Sequence, residues 1–272
     1  MDPSTESVEV APRDDGTQGT GGHAIRFSRR KLLRGLAILI GIILLAHLSV
    51  HTYHYRVAKV PDLLFDAVDV DQEDTFSTWY QSSTILLAGF LALIIAARRR
   101  AIGDSLAMHW RVLGIVFVWM SADEIAGFHE TLNSVVSESW TVPAAIVAAL
   151  FSLAYLPFLL RIPRATARRF VFAGAAYLGG AVGVERFSEW FIKVSFVKFD
   201  LLGRTLEIRH TNQTIAHTLD YSVSTALEEG FEMLGIWLFI RALLYVMSNE
   251  DEIVIPVVAD PSADHGAATH TR

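Results

Sequence analysis

The sequence predicts an all-α fold, a polytopic membrane helix bundle with six transmembrane helices and both termini in the cytoplasm. Three observations predict it. The 272 residues are 52% hydrophobic with a mean hydropathy of +0.37. Uncharged apolar runs of about 20 residues, the length that crosses a bilayer, recur along the chain. Arginine and lysine gather in alternate short loops, as residues retained on the cytoplasmic side do.

The first span covers residues 35–54 and follows Arg26, Arg29, Arg30, Lys31 and Arg34. A polar leader and the lack of a small-x-small cleavage site mark it as a retained helix rather than a signal peptide. An acidic stretch follows, with Asp62, Asp66, Asp69, Asp71, Glu73 and Asp74; it reads as a solvated loop, with cation capture as the alternative. The second span, 79–97, ends in Arg98, Arg99 and Arg100, and the third covers 112–131. The fourth, 142–160, contains no charge and reads as lipid-facing scaffold, with Pro157 a candidate kink. Arg161, Arg164, Arg168 and Arg169 lead into the fifth, 170–191, and the sixth covers 221–245. Residues 1–30 and 248–272 lack apolar periodicity and read as disordered cytoplasmic tails flanking a transmembrane domain over 31–247. Tyr53, Tyr55, Trp79, Tyr80, Trp140 and Trp190 fit an aromatic belt at the outer interface.

Composition also excludes. The net charge of -6 resides in tails, one loop and a few intramembrane acids, which leaves no basic groove for nucleic acid. Cysteine is absent, so disulfides, thiolate metal sites and a cysteine nucleophile are all ruled out.

The intramembrane acids carry the functional argument. Asp123, Glu124, Glu130, Glu185, Glu189, Glu228, Glu229 and Glu232 fall within or at the ends of three apolar spans. An ionised carboxylate in hydrocarbon is expensive, so such groups face a bundle interior, a water-filled cavity or a metal. With about 1.5 Å of rise per residue, all three clusters fall in the outer leaflet half, where they are expected to meet. Helical phase puts Asp123, Gly127 and Glu130 on one face, with Glu124 and His129 on its flanks, and Gly127 admits a close neighbour. On the sixth span Tyr221, Ser224, Thr225, Glu228 and Glu232 form a polar stripe.

Histidines follow the same geography. His47, His51 and His54 recur at i, i+4 and i+7 on the first span, so their imidazoles share a face. Carboxylates and imidazoles at one level suit iron, manganese or zinc, and a bundle core is a common place to hold such an ion. The expected ligands are Asp123, Glu130, His129, Glu228, Glu232 and His51. Supporting or proton-relay positions are assigned to Glu124, Glu185, Glu189, Glu229, His47 and His54. Familiar motifs do not extend this. The only Glu-x-x-His pair, Glu207 and His210, lies in a loop, and Asn133 stands where a zincin helix starting at His129 needs its second histidine. Ser121, Asp123 and the first-span histidines could supply a Ser, Asp and three-His set like that of amidases resembling alkaline ceramidase, although their order and spacing differ.

The segments MSADEIAGFHE at 120–130 and LEEGFEMLG at 227–235 resemble motifs of uncharacterised prokaryotic multi-pass membrane proteins. The resemblance covers two spans and implies a membrane-embedded helical protein without specifying an activity. The reading from the residues is a metal-dependent membrane site for redox or hydrolytic chemistry on a hydrophobic small molecule or lipid. Its rivals are a proton- or cation-coupled transporter and a non-catalytic binding or structural protein.

Overall fold

Helices account for nearly all of the regular structure in the computed structural model, which describes residues 24–128, 141–184, 186–187, 200–201, 204–205, 219–247 and 252–256. In chain order they are α1 (Arg29–Arg56), α2 (Asp62–Val68), α3 (Phe76–Ala101), α4 (Ala107–Ala126), α5 (Thr141–Arg161), α6 (Arg164–Leu178) and α7 (Leu219–Met247). A π-helical segment, Gly179–Val184, continues α6. Helix thus covers most of each expected span. Among the described residues, α1, α3 and α7 are long and apolar enough to cross a membrane. Arg111, Asp123 and Glu124 interrupt the apolar character of α4.

Within the two expected tails, Ala24–Ser28 (β1) pairs antiparallel with Glu252–Pro256, the last strand of the chain. A second pair joins β2 (Asp200–Leu201) to β3 (Arg204–Thr205), which makes the final strand β4. The sequence EIVIP is rich in the β-branched residues that favour extended backbone.

Local sequence explains the helix limits. The Ser28 side chain caps α1 by accepting from the Lys31 amide, and the Thr75 side chain caps α3 through Thr78. α4 stops at Gly127, whose φ of 57° is left-handed. The helical phase that aligned Glu130 with Asp123 therefore does not run through Gly127. Pro157 stays inside α5 without ending it.

Small residues set the helix crossings. Ser82 of α3 and Ser121 of α4 exchange hydroxyl-to-carbonyl bonds of 2.9 Å in both directions. One end of the same crossing is fixed by Gly89 and Gly114, each of which would place a Cβ about 3 Å from the other's carbonyl oxygen. Both pairs sum to 203 in residue number, as an antiparallel crossing requires. α6 packs on α7 the same way: a Cβ on Gly235 would lie 2.6 Å from the Tyr177 amide nitrogen. The main core, with Ile85, Trp110, Phe117, Phe158, Ile240 and Leu243, fills the space among α3 to α7. A smaller cluster of Ile43, Val70, Tyr80 and Met233 joins α1 to the bundle.

Candidate metal centre

The site is built on α1. His47 and His51 stand one turn apart on its buried face, with their rings 4.0 Å apart, and both are almost wholly removed from solvent. Their environment comes from the first turn of α7 and from the acidic stretch between α2 and α3. His47 Nε2 lies 3.0 Å from the Ser222 carbonyl oxygen, which can only accept, and Nδ1 receives the Val70 amide at 3.2 Å. That pair of partners fixes His47 as the neutral Nε2–H tautomer. His51 Nδ1 sits 2.7 Å from the Ser222 hydroxyl, and its ring stacks on Phe65 at 4.0 Å.

The other nitrogen of His51 is the exception. Nε2 is buried without a hydrogen-bond partner and faces Asp69 Oδ1 across 3.9 Å, while the same oxygen is 3.5 Å from His47 Nδ1. A buried polar atom left unmatched carries a penalty and requires an explanation. One ligand atom from each of His47, His51 and Asp69 falls within 4.8 Å of the others. Metal bonds to imidazole and carboxylate run about 2.0–2.2 Å, so an ion can sit between donors about 4 Å apart. Two imidazoles and a carboxylate, with a position to spare, form a donor set suited to zinc or non-haem iron. His51 and Asp69 can ligate as they stand. His47 joins by exchanging its Val70 contact for the ion.

Asp69 comes from the stretch expected to be solvated. It is about 9% exposed, burial pushes its carboxyl above the usual range, and the Asp71 amide donating to Oδ1 at 3.2 Å opposes that. Its neighbours at every second position also contact the helices, Asp71 while exposed and Glu73 while half-buried. Asp71 accepts from the Tyr221 hydroxyl at 2.9 Å, and the Glu73 carboxylate lies where a Cβ on Gly127 would be, 2.7 Å away. The close neighbour expected at Gly127 is therefore an acid from this loop.

The expected acids form a separate group. Glu229 accepts a short hydrogen bond from the Gln81 side-chain amide, and Glu124, Glu228 and Asp71 lie near enough to act on it electrostatically. Glu232, Glu124 and Glu229 stand in the same relation to Tyr177. Gly180 makes this approach possible, because a Cβ there would meet the Glu228 carbonyl at 2.5 Å and Glu232 Cγ at 3.0 Å. α4 and α7 thus do bring carboxylates together, through Glu124, while Asp123 is half-buried near the end of α4. Asp71 connects the two groups, two residues beyond the histidine contact.

Of the expected ligands, His51 belongs to the compact three-residue set, whereas Asp123, Glu228 and Glu232 are outside it. His47, expected in support, belongs to it. His54 instead receives the Val60 amide at 3.3 Å and packs against Phe65. His129, Glu130, Glu185 and Glu189 lie outside the described residues, as do His210 and His217. Asp69 is not singled out by the sequence, where it stands in a stretch that reads as solvated with cation capture as the alternative, because an acid among five others signals solvent. The available signal was Val68 and Val70 on either side of it, an apolar pair unsuited to a fully solvated loop.

A family model described as a domain of unknown function (DUF8692) matches residues 35–247, which include all six expected spans and the three-residue set. No curated protein and no solved structure matches the chain.

Proposed function

We propose, from the premise that the chain belongs to the DUF8692 family of domains of unknown function, that it is a multi-pass membrane protein with a divalent transition-metal site at His47, His51 and Asp69. The observation that carries this reading is the buried His51 Nε2, without a hydrogen-bond partner and facing Asp69 Oδ1. An ion between them satisfies both atoms, and the tilted His47 ring and the stacked Phe65 ring hold His51 in place.

Membrane embedding is supported by where apolar side chains are exposed. Ile38, Ile42 and Leu45 form an outward stripe on α1, and Ile146, Leu150, Leu153 and Leu160 do so on α5. Patches of this kind suit lipid rather than water. Under the charge-bias rule the termini are cytoplasmic and the metal site lies near the outer interface. The bound ion then acts on a small hydrophobic molecule or lipid arriving from the bilayer, by redox or hydrolytic chemistry at its open position.

Metal analysis of the detergent-purified protein tests the site after loading with Zn, Mn or Fe. About one ion per chain is expected. His51→Ala and Asp69→Asn should remove it, and Glu232→Gln should keep it. No metal under any loading condition, or loss from all three variants alike, ends this reading.

The grouping of Glu124, Glu228, Glu229 and Asp71 favours a second reading, a proton or cation path. Reconstituted vesicles decide it: acid-dependent cation flux lost in Glu229→Gln supports transport, and absent flux removes it.

A further inference from the structure

We propose that the opposite end of the bundle contains a binding site for a phosphate-bearing anion. Arg29, Arg30 and Leu33 of α1, Arg169 of α6, and Arg241 and Tyr245 of α7 line a cavity of about 350 Å³. Arg29 precedes His51 by 22 positions on one helix, so the cavity is about 33 Å from the metal centre along α1. The inference does not depend on what the histidines bind.

Four guanidinium groups meet here, and among the described residues no carboxylate lines the cavity. Arg169 is stacked on the Tyr245 ring, with its guanidinium carbon 3.6 Å from the ring centre, and its Nη1 is buried without a hydrogen-bond partner. Stacking fixes the group in place but leaves that donor unused. Arg241 extends over Trp237 at 5.9 Å and makes no ion pair among the described residues. Helix polarity adds to the demand for negative charge. α6 starts with arginine here, has no acid in its first turn and no side-chain cap, so it presents its positive end, whereas the head of α1 is capped by Ser28, which pairs with Glu252.

Convergent planar donors around a space of this size match an anion with several oxygens. Arginine binds phosphate oxygens in pairs, and basic pockets between helices at the inner membrane surface hold phospholipid headgroups. The shared chemistry is a phosphate group, supplied either by an anionic phospholipid or by a soluble phosphate.

Two arms of one experiment on the full-length protein in detergent distinguish the sources. Native mass spectrometry compares retention of phosphatidylglycerol with phosphatidylcholine. Thermal unfolding compares inorganic phosphate with chloride at matched ionic strength. A lipid source predicts retention of phosphatidylglycerol about fivefold or more above phosphatidylcholine, falling about fivefold for each arginine removed in Arg169→Gln and Arg241→Gln. A soluble source predicts stabilisation by phosphate that the same changes abolish. Arg169→Lys keeps the charge and should retain most of the binding. If Arg169→Gln fails to fold, Arg241→Gln carries the test, because its side chain is exposed. Equal retention of the two lipids together with no phosphate effect overturns the proposal. So does binding that is unchanged in both Arg169→Gln and Arg241→Gln.

Discussion

His51 and Asp69 illustrate how two side chains can be well packed yet incompletely satisfied. His51 is held by Ser222, His47 and Phe65, so His51→Ala should cost about 2 kcal/mol or more through a lost hydrogen bond and a cavity, read as a lower unfolding temperature. Asp69 is predicted to behave differently. Burial raises its carboxyl above the ordinary value near 3.9, so the folded chain keeps a proton that the unfolded chain releases between those two pH values. Its contribution to stability is therefore present at low pH and lost as pH rises through that window. Asp69→Asn should remove this loss and make metal-free protein more stable at neutral pH, while abolishing metal binding. In the wild type, metal affinity should rise with pH over the same window, because the ligand is the ionised carboxylate. Thermal unfolding at several pH values with and without metal measures both effects. A metal-free Asp69→Asn protein less stable than wild type at pH 7 contradicts the account.

Close helix crossings make glycine the sensitive residue at the scale of elements. Gly235 faces the Tyr177 backbone at 2.6 Å, and backbone cannot move aside as a side-chain tip can. Gly235→Ala should destabilise the protein by about 1–3 kcal/mol through overpacking. Gly41, in the middle of α1, has nothing within 4 Å of an added Cβ. Gly41→Ala should be neutral or stabilising by about 0.5–1 kcal/mol. Comparing the two variants by thermal unfolding checks the crossing itself, and similar losses in both refute it. Gly127 combines a positive φ with the Glu73 contact, so Gly127→Ala pays a left-handed penalty of about 1–2 kcal/mol and displaces the carboxylate. Glu73→Ala should relieve only the second part, leaving a coupling between the two changes in a double-mutant cycle.

Across the whole molecule, charge separates the ends. Acidic residues and the histidine centre occupy one end of α1, and arginines occupy the other. If α1 crosses the bilayer, Lys59 and Ile102, both exposed, face opposite compartments. The chain has no native cysteine, so single cysteines can be introduced without background. An impermeant maleimide should label Lys59→Cys in intact cells and Ile102→Cys only after permeabilisation. Labelling of both from the outside contradicts the proposed topology.

The sequence by itself determined that the chain is helical, because long apolar runs are local properties, although the stretch that holds α2 reads as a loop. It also marked His47, His51 and His54 as sharing one helix face, since their spacing puts them together wherever that face points, but it did not choose His47 over His54 as the partner of His51. Proximity across the chain was only partly legible: shared depth anticipated the meeting of Glu124 with the acids of α7 but did not single out Asp69. Tertiary structure alone decided that Asp69 is buried beside the histidines and that Asp71 and Glu73 meet Tyr221 and Gly127. Whether a loop carboxylate meets water or an imidazole depends on the packing of α2 and the first turn of α7 around it, and no local pattern encodes that geometry.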